Sequence, residues 1–180
     1  PEQLADLYYR SVGHNATLLL NFPVDREGLI HPTDSANAVN FHKMIQRELQ
    51  HNLVAGLTPK VSNERGGEFT AKAMTDDSWD TYWATADGVT SATITFDFKK
   101  PQLMNRIMLQ EYIPLGQRVK KFAVEYLDGK TWRSVEQGEE TTTIGYKRLL
   151  RFRTVEAKSV RVRIIDSRGP ICLNIVGIYY

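Results

Sequence analysis

The sequence predicts a mainly β protein: an antiparallel β-sandwich preceded by a helix–strand–helix piece of an α/β fold. Three observations carry this. From Ala71 onward apolar residues recur with a period of two, as in Ile94/Phe96/Phe98 and Val160/Val162/Ile164, which is strand periodicity. Turn signals separate these runs: Asp87-Gly88, Lys100-Pro101, Pro114-Leu-Gly116, Asp128-Gly129, Gly138, Gly145 and Arg168-Gly-Pro170. Before residue 56 the spacing is helical on either side of one short apolar run.

Taken in order, Leu4, Leu7 and Tyr8 mark a first helix that stops at Gly13. Ala16 to Phe22, closed by Pro23, reads as a strand buried on both faces, as in a parallel sheet. Asp25-Arg-Glu-Gly28 makes a turn. Pro32 precedes Thr33 and Asp34, both good N-cap types, and Ala38, Phe41, Ile45 and Leu49 form the apolar stripe of a second helix. Gly56, Pro59, Gly66 and Gly67, set among polar residues, mark 56–70 as a linker. Sandwich strands are expected around Ile94–Phe98, Ile107–Leu109, Phe122–Tyr126, Leu150–Arg153, Val160–Ile164 and Ile175–Tyr180. The region 71–180, about 110 residues, is large enough for its own core.

Composition narrows the function. Of 180 residues, 42% are hydrophobic and 24% charged, which excludes collagen-like, disordered and disulfide-scaffold chains. No run approaches the roughly 18 apolar residues of a membrane span. The opening Pro-Glu-Gln-Leu lacks the basic start and apolar core of a signal peptide, and Pro in place of Met suggests an excised segment. Cys172 is the single cysteine, so no internal disulfide and no Cys-rich zinc site can form. The net charge of +2 hides an asymmetry. Residues 1–98 carry 7 basic and 13 acidic side chains, whereas 99–180 carry 16 and 8. A basic second half suits solvated strand faces, an anionic glycan or an acidic neighbour. The stripe Arg151, Arg153, Arg161 and Arg163 lacks interleaved aromatics on its face, which argues against nucleic acid.

No Gly-x-Ser-x-Gly elbow, phosphate loop or Cys–His arrangement is present. The sandwich carboxylates mostly sit in turns (Asp87, Asp128) or on polar strand faces (Asp97, Glu125), where solvation is the default. His14, His31, His42 and His51 have no metal-binding spacing. Asp25 follows the apolar run and reads first as a turn residue, although loops after parallel strands also build active sites. The stretch Thr75-Asp-Asp-Ser-Trp-Asp-Thr-Tyr-Trp83 is rich in oxygen and in aromatics. It suits calcium, a sugar face against Trp79, or simply a turn into a core Trp83. Glu111-Tyr-Ile-Pro-Leu-Gly-Gln-Arg118 places a carboxylate, an amide and a guanidinium on one loop, fit to hold hydroxyls or to form a structural ion pair.

At these residues the chain resembles a known family. Asn15-Ala-Thr-Leu-Leu-Leu-Asn-Phe-Pro23, continuing to Asp25 and Gly28-Leu-Ile30, resembles the last barrel strand of the α-L-fucosidases of glycoside hydrolase family 29. Asp76–Thr85, Leu109–Val119, Thr143–Arg148 and Asp166–Pro170 resemble their C-terminal sandwich, of the discoidin or coagulation factor 5/8 type C class. The resemblance implies a discoidin-like jelly-roll β-sandwich over 71–180, a linker over 56–70, and a helix–strand–helix fragment of a (β/α) barrel over 1–55. It also implies a parent enzyme, periplasmic or secreted, that hydrolyses terminal α-L-fucose with retention. That enzyme's nucleophilic Asp and its acid/base carboxylate lie upstream of the matched region, and nothing here matches the nucleophile's motif.

By the same resemblance, the sites to expect are these. Asp76 and Thr81 are candidate calcium ligands, although the closing Leu173-Asn-Ile-Val-Gly-Ile178 lacks the usual acidic partner. Arg118 and Gln117 are the first candidates to meet a sugar or the barrel, followed by Glu111, Tyr112, Trp79 and Arg168. The expected partners are fucosylated or galactose-type glycans and the catalytic barrel, with no nucleic acid and no membrane span. The sandwich then acts as a brace for the barrel, as an independent carbohydrate-binding module, or as a protein- or membrane-binding domain through Ile113-Pro-Leu115.

Overall fold

The computed structural model describes residues 1–180. Helix α1 (Glu2–Ser11) and helix α2 (Pro32–Glu48) precede seven strands. These are β1 (Lys60–Val61), β2 (Trp83–Ala84), β3 (Ala92–Glu111), β4 (Val119–Asp128), β5 (Thr131–Ser134), β6 (Arg148–Ser167) and β7 (Cys172–Tyr179). All pairings are antiparallel, in the order β2-β7-β3-β6-β4-β5, with β1 on β3.

The sandwich is one ladder folded on itself. Runs read as separate strands, Ile94–Phe98 with Ile107–Leu109 and Leu150–Arg153 with Val160–Ile164, are halves of the 20-residue strands β3 and β6. The β3–β6 register shifts between Asp97 and Gln102 and again between Met104 and Arg106. Such bulges bend a strand without ending it. Lys100-Pro101 therefore lies inside β3 rather than in a turn, and Pro101, which has no N–H to donate, falls where the ladder is interrupted. One layer holds β1, the first half of β3, the second half of β6, β4 and β5; the other holds β2, β7 and the remaining halves. Ile94, Phe96, Phe122, Val160 and Val162 share a single core with Ile107, Leu109, Leu150, Val176 and Ile178.

The expected strand at 16–22 does not form. The residues lie outside any helix or strand, and Leu19 is 90% exposed. A parallel strand needs neighbours to take its N–H and C=O groups, and no segment of this chain supplies them. Asp25 is a turn residue, its Oδ1 accepting from the N–H groups of Glu27 (2.8 Å) and Leu29 (2.9 Å). Helix α2 is capped by His31, whose Nδ1 accepts from Thr33 N–H, with Pro32 at the first helical position; Thr33 and Asp34 lie inside the helix. Residues 56–70, expected as a linker, carry β1 and send Gly56 N–H to Thr75 O and Arg65 N–H to Ala84 O.

The first 55 residues are tied to the sandwich. Gly13 approaches so closely that a Cβ there would lie 2.2 Å from Tyr9 O and 2.9 Å from Leu149 Cβ. Leu149 N–H donates to Gly13 O, and Leu53 N–H donates to Ile178 O. Asn52 Oδ1 accepts from Ile178 N–H. A polar knot completes the joint: Tyr9 hydroxyl donates to Glu48 at 2.9 Å, Arg106 donates to Tyr9 Oη, and Arg106 pairs with Glu48 at 3.0 Å. Asp6 pairs with Arg151 at 2.6 Å. Arg153 pairs with Glu136, and Arg161 and Arg163 share Glu125, so every arginine of the basic stripe has a carboxylate.

Candidate functional site

The loop after β3 is built around Glu111. This residue is only 2% exposed, so its carboxylate must be satisfied internally. Oε1 accepts from the N–H groups of Arg118 (2.7 Å) and Val119 (2.9 Å), and Oε2 accepts from Gly145 N–H (2.6 Å). Glu111 was expected to meet a ligand or the barrel. The structure corrects that: the carboxylate is spent on backbone donors and anchors two loops. A turn at Ile113–Leu115 and Gly116 at φ +88° then reverse the chain into β4. Only a residue without Cβ holds that φ cheaply.

This anchor presents Tyr112, Gln117 and Arg118 at one tip of the sandwich. Tyr112 stacks on Tyr82 with centroids 4.2 Å apart and planes at 14°, and Tyr82 meets Phe69 at 4.9 Å. Arg65 lies over the Phe69 ring at 5.7 Å. Arg118 Nη1 donates to Pro170 O (2.9 Å) and lies 3.4 Å from Cys172 Sγ. Arg168 N–H donates to Arg118 O, which brings the third turn to the same place. Gln117 is exposed beside them, as are the side chains of Ile113 and Leu115.

The structure thus assembles Tyr112, Gln117, Arg118 and Arg168 and adds Arg65, Phe69 and Tyr82, which sequence reasoning missed. Tyr82 lies within the Asp76–Thr85 segment, but nothing in the spacing says that it faces Tyr112. Burial, then the neighbouring Cys172 and Tyr112, push the Tyr82 hydroxyl up from its ordinary pKa, against the pull of Arg65 and Arg118. Burial likewise raises the Cys172 thiol. Arg118 is half-buried and forms no ion pair, so its remaining N–H groups are available to an acceptor from outside.

Trp79 does not join this tip. It is 53% exposed and stacks on Tyr146, itself 52% exposed, at 6.2 Å and 23°. Asp76 and Thr81 do come together, but as partners of each other. Asp76 Oδ2 accepts from the Thr81 hydroxyl (2.7 Å) and Oδ1 accepts from Ser78 N–H (2.9 Å). No group of three or more His, Cys, Asp or Glu side chains is placed to hold a metal ion. Asp76 and Thr81 supply one carboxylate and one hydroxyl toward the 6–8 oxygen ligands that calcium takes.

A second concavity lies in the first 55 residues. Tyr8, Leu18, Leu20, Phe41, Ile45 and Leu49 line an open groove of about 1120 Å³ between the two helices and the unpaired 16–22 segment. His42, Lys43, Gln46 and Arg47 of α2 also line this groove.

Comparison with known proteins bears on both features. Residues 59–175 match the F5/8 type C domain. A crystal structure from Bacteroides thetaiotaomicron superposes with TM-score 0.94 at 39% identity, over 99% of this chain and 39% of that one. A Ruminococcus gnavus GH29 fucosidase solved in complex with fucose superposes with TM-score 0.88 at 35% identity, over 99% of this chain and 36% of that one. α-L-Fucosidase 1 of Arabidopsis thaliana is 32% identical over 183 residues, covering 98% of this chain and 36% of the relative. The chain therefore spans little more than a third of the length of the proteins it resembles. The match holds across both the sandwich and the helical segment ahead of it, and the chain belongs to the F5/8 type C domain family, in the form carried by α-L-fucosidases of glycoside hydrolase family 29.

Proposed function

We propose that the chain is the non-catalytic, C-terminal part of an α-L-fucosidase-like glycoside hydrolase acting in fucosylated-glycan breakdown, and that its first task is to brace the catalytic barrel. The observation that carries this is the pairing of a fixed joint with an open apolar face. Tyr9, Glu48 and Arg106 lock α1 and α2 onto the sandwich. The same helices leave open the groove around Phe41 and the unpaired run Ala16–Phe22, in which Leu19 is fully exposed and Leu18, Leu20 and Phe22 are half-buried. An apolar face of that size on a rigid support suits a protein contact. The parent enzyme is extracytoplasmic on this reading. Retaining hydrolysis needs two carboxyl groups about 5–5.5 Å apart across the scissile bond, and no such pair lines either feature, so this chain alone turns over no aryl α-L-fucoside. The test is association with the remaining barrel, expressed separately: a stable complex that Phe41→Asp abolishes is expected, and no complex overturns the brace.

A second task is carbohydrate binding by the sandwich. It is supported by the stacked Tyr82–Tyr112 pair beside the unpaired guanidinium of Arg118. Aromatic faces next to a few directional donors are the usual make-up of a sugar site. Arg118→Ala would then abolish saturable sugar binding at the tip.

A further inference from the structure

Trp79 and Tyr146 form an exposed aromatic pair outside both the helical groove and the Tyr82–Tyr112 stack. Their rings are stacked and half exposed, and they come from loops distant in sequence. Both loops are held in place. Gly145 N–H donates to Glu111 and Lys147 N–H donates to Asn15, so Tyr146 is fixed on either side. Asp76 accepts from Ser78 and Thr81, and Ser78 Oγ accepts from Asp80 N–H, which closes the loop that carries Trp79. A platform fixed before binding loses little freedom when a ligand arrives.

The surroundings indicate what it would take. Exposed aliphatic side chains occur in both parts of the chain: Leu7, Leu19, Val24, Leu29, Ile30 and Val39 in the first 50 residues, and Leu103, Ile113, Leu115 and Ile165 in the sandwich. Next to Trp79 the exposed residues are instead Asp77, Asp80 and Thr81. A pyranose offers an apolar C–H face and a rim of hydroxyl donors, which this mixture of aromatic rings and oxygen acceptors complements. The carboxylates of Asp76, Asp77 and Asp80 repel a uronic or sialic acid.

We propose that Trp79 and Tyr146 form a carbohydrate-binding platform for a neutral pyranose unit, separate from the Tyr82–Tyr112–Arg118 tip. It rests on the carbohydrate-binding reading above and adds a second place to it. The test is titration of the 180-residue chain with methyl β-D-galactopyranoside, L-fucose and N-acetylneuraminic acid, followed by calorimetry and tryptophan fluorescence. Saturable binding of at least one neutral sugar is expected, with a Kd of about a millimolar and a fluorescence change. Trp79→Ala and Tyr146→Ala should each weaken it about tenfold or more without moving the unfolding midpoint, because both rings are largely solvated. Lys130→Ala, in the exposed turn between β4 and β5, should leave it intact. Binding that Arg118→Ala abolishes but the two aromatic variants keep overturns the platform and leaves the tip as the sugar site. No binding of either neutral sugar overturns both sites and leaves the brace, and equal binding of N-acetylneuraminic acid overturns the preference for a neutral unit.

Discussion

Replacing Glu111 tests how the tip is held. Its carboxylate serves three backbone donors at 2.6–2.9 Å, and two of these hydrogen bonds, to Val119 and Gly145, are buried. Leaving a buried donor unsatisfied costs about 1–3 kcal/mol, and bonds to a charged group lie at the upper end. Glu111→Ala orphans all three, so a loss of about 3–5 kcal/mol is expected, against a total stability of about 5–15 kcal/mol for a domain. Glu111→Gln keeps one acceptor oxygen and turns an amide N–H toward a donor, so about 2 kcal/mol should be lost. Urea unfolding measures both, and hydrogen exchange reads the amides of Arg118, Val119 and Gly145 one by one. The expected result is a graded loss, with those three amides losing protection before the core of β3 and β6. A loss under about 1 kcal/mol in the alanine variant, or undiminished protection of the three amides, would refute the assignment of Glu111 as the anchor.

Other consequences follow from the joint and the buried phenols. Gly13→Ala drives a Cβ into Tyr9 O, so about 2 kcal/mol of stability and protease resistance at α1 should be lost; an unchanged digestion pattern would contradict the close approach. Arg106→Ala strands Glu48 and Tyr9, and a double-mutant cycle with Glu48→Ala should give a coupling of about 1–2 kcal/mol, whereas additive effects would mean that the knot contributes nothing. Burial and Glu48 raise the Tyr9 pKa, and burial and Asp77 raise that of Tyr179 to about 12. Groups raised above their unfolded value near 10 stabilise the fold below that pH. Stability should therefore fall as pH rises from about 10 through 12, and a flat midpoint across that range would refute the burial of the two phenols.

The alternation of Ile94/Phe96/Phe98 and Val160/Val162/Ile164 made the sandwich legible, because one face of each run is core. The continuity of β3 and β6 was not, since bulges look like turns in sequence: both carry residues that break the alternation. Strands β1 and β2 are two residues long and too short to show a period. Ala16–Phe22 reads as a strand from its composition, but strands depend on neighbours that composition does not supply. At the tip, residue type singled out the Glu111–Arg118 loop but did not show that Glu111 is buried, because three backbone donors converge on it only after folding. Tyr82 and Tyr146 went unnoticed because loop aromatics carry no periodicity to show which way they face.

The central claim is that this chain contributes support rather than chemistry. The most direct measurement is hydrolysis of an aryl α-L-fucoside by a separately expressed catalytic barrel, with and without the 180-residue chain, and by the chain alone. No turnover by the chain alone is predicted, together with a rise in the barrel's activity and unfolding temperature on adding it, which Phe41→Asp removes. Turnover by the chain itself, or a barrel equally stable and active without it, would contradict the account.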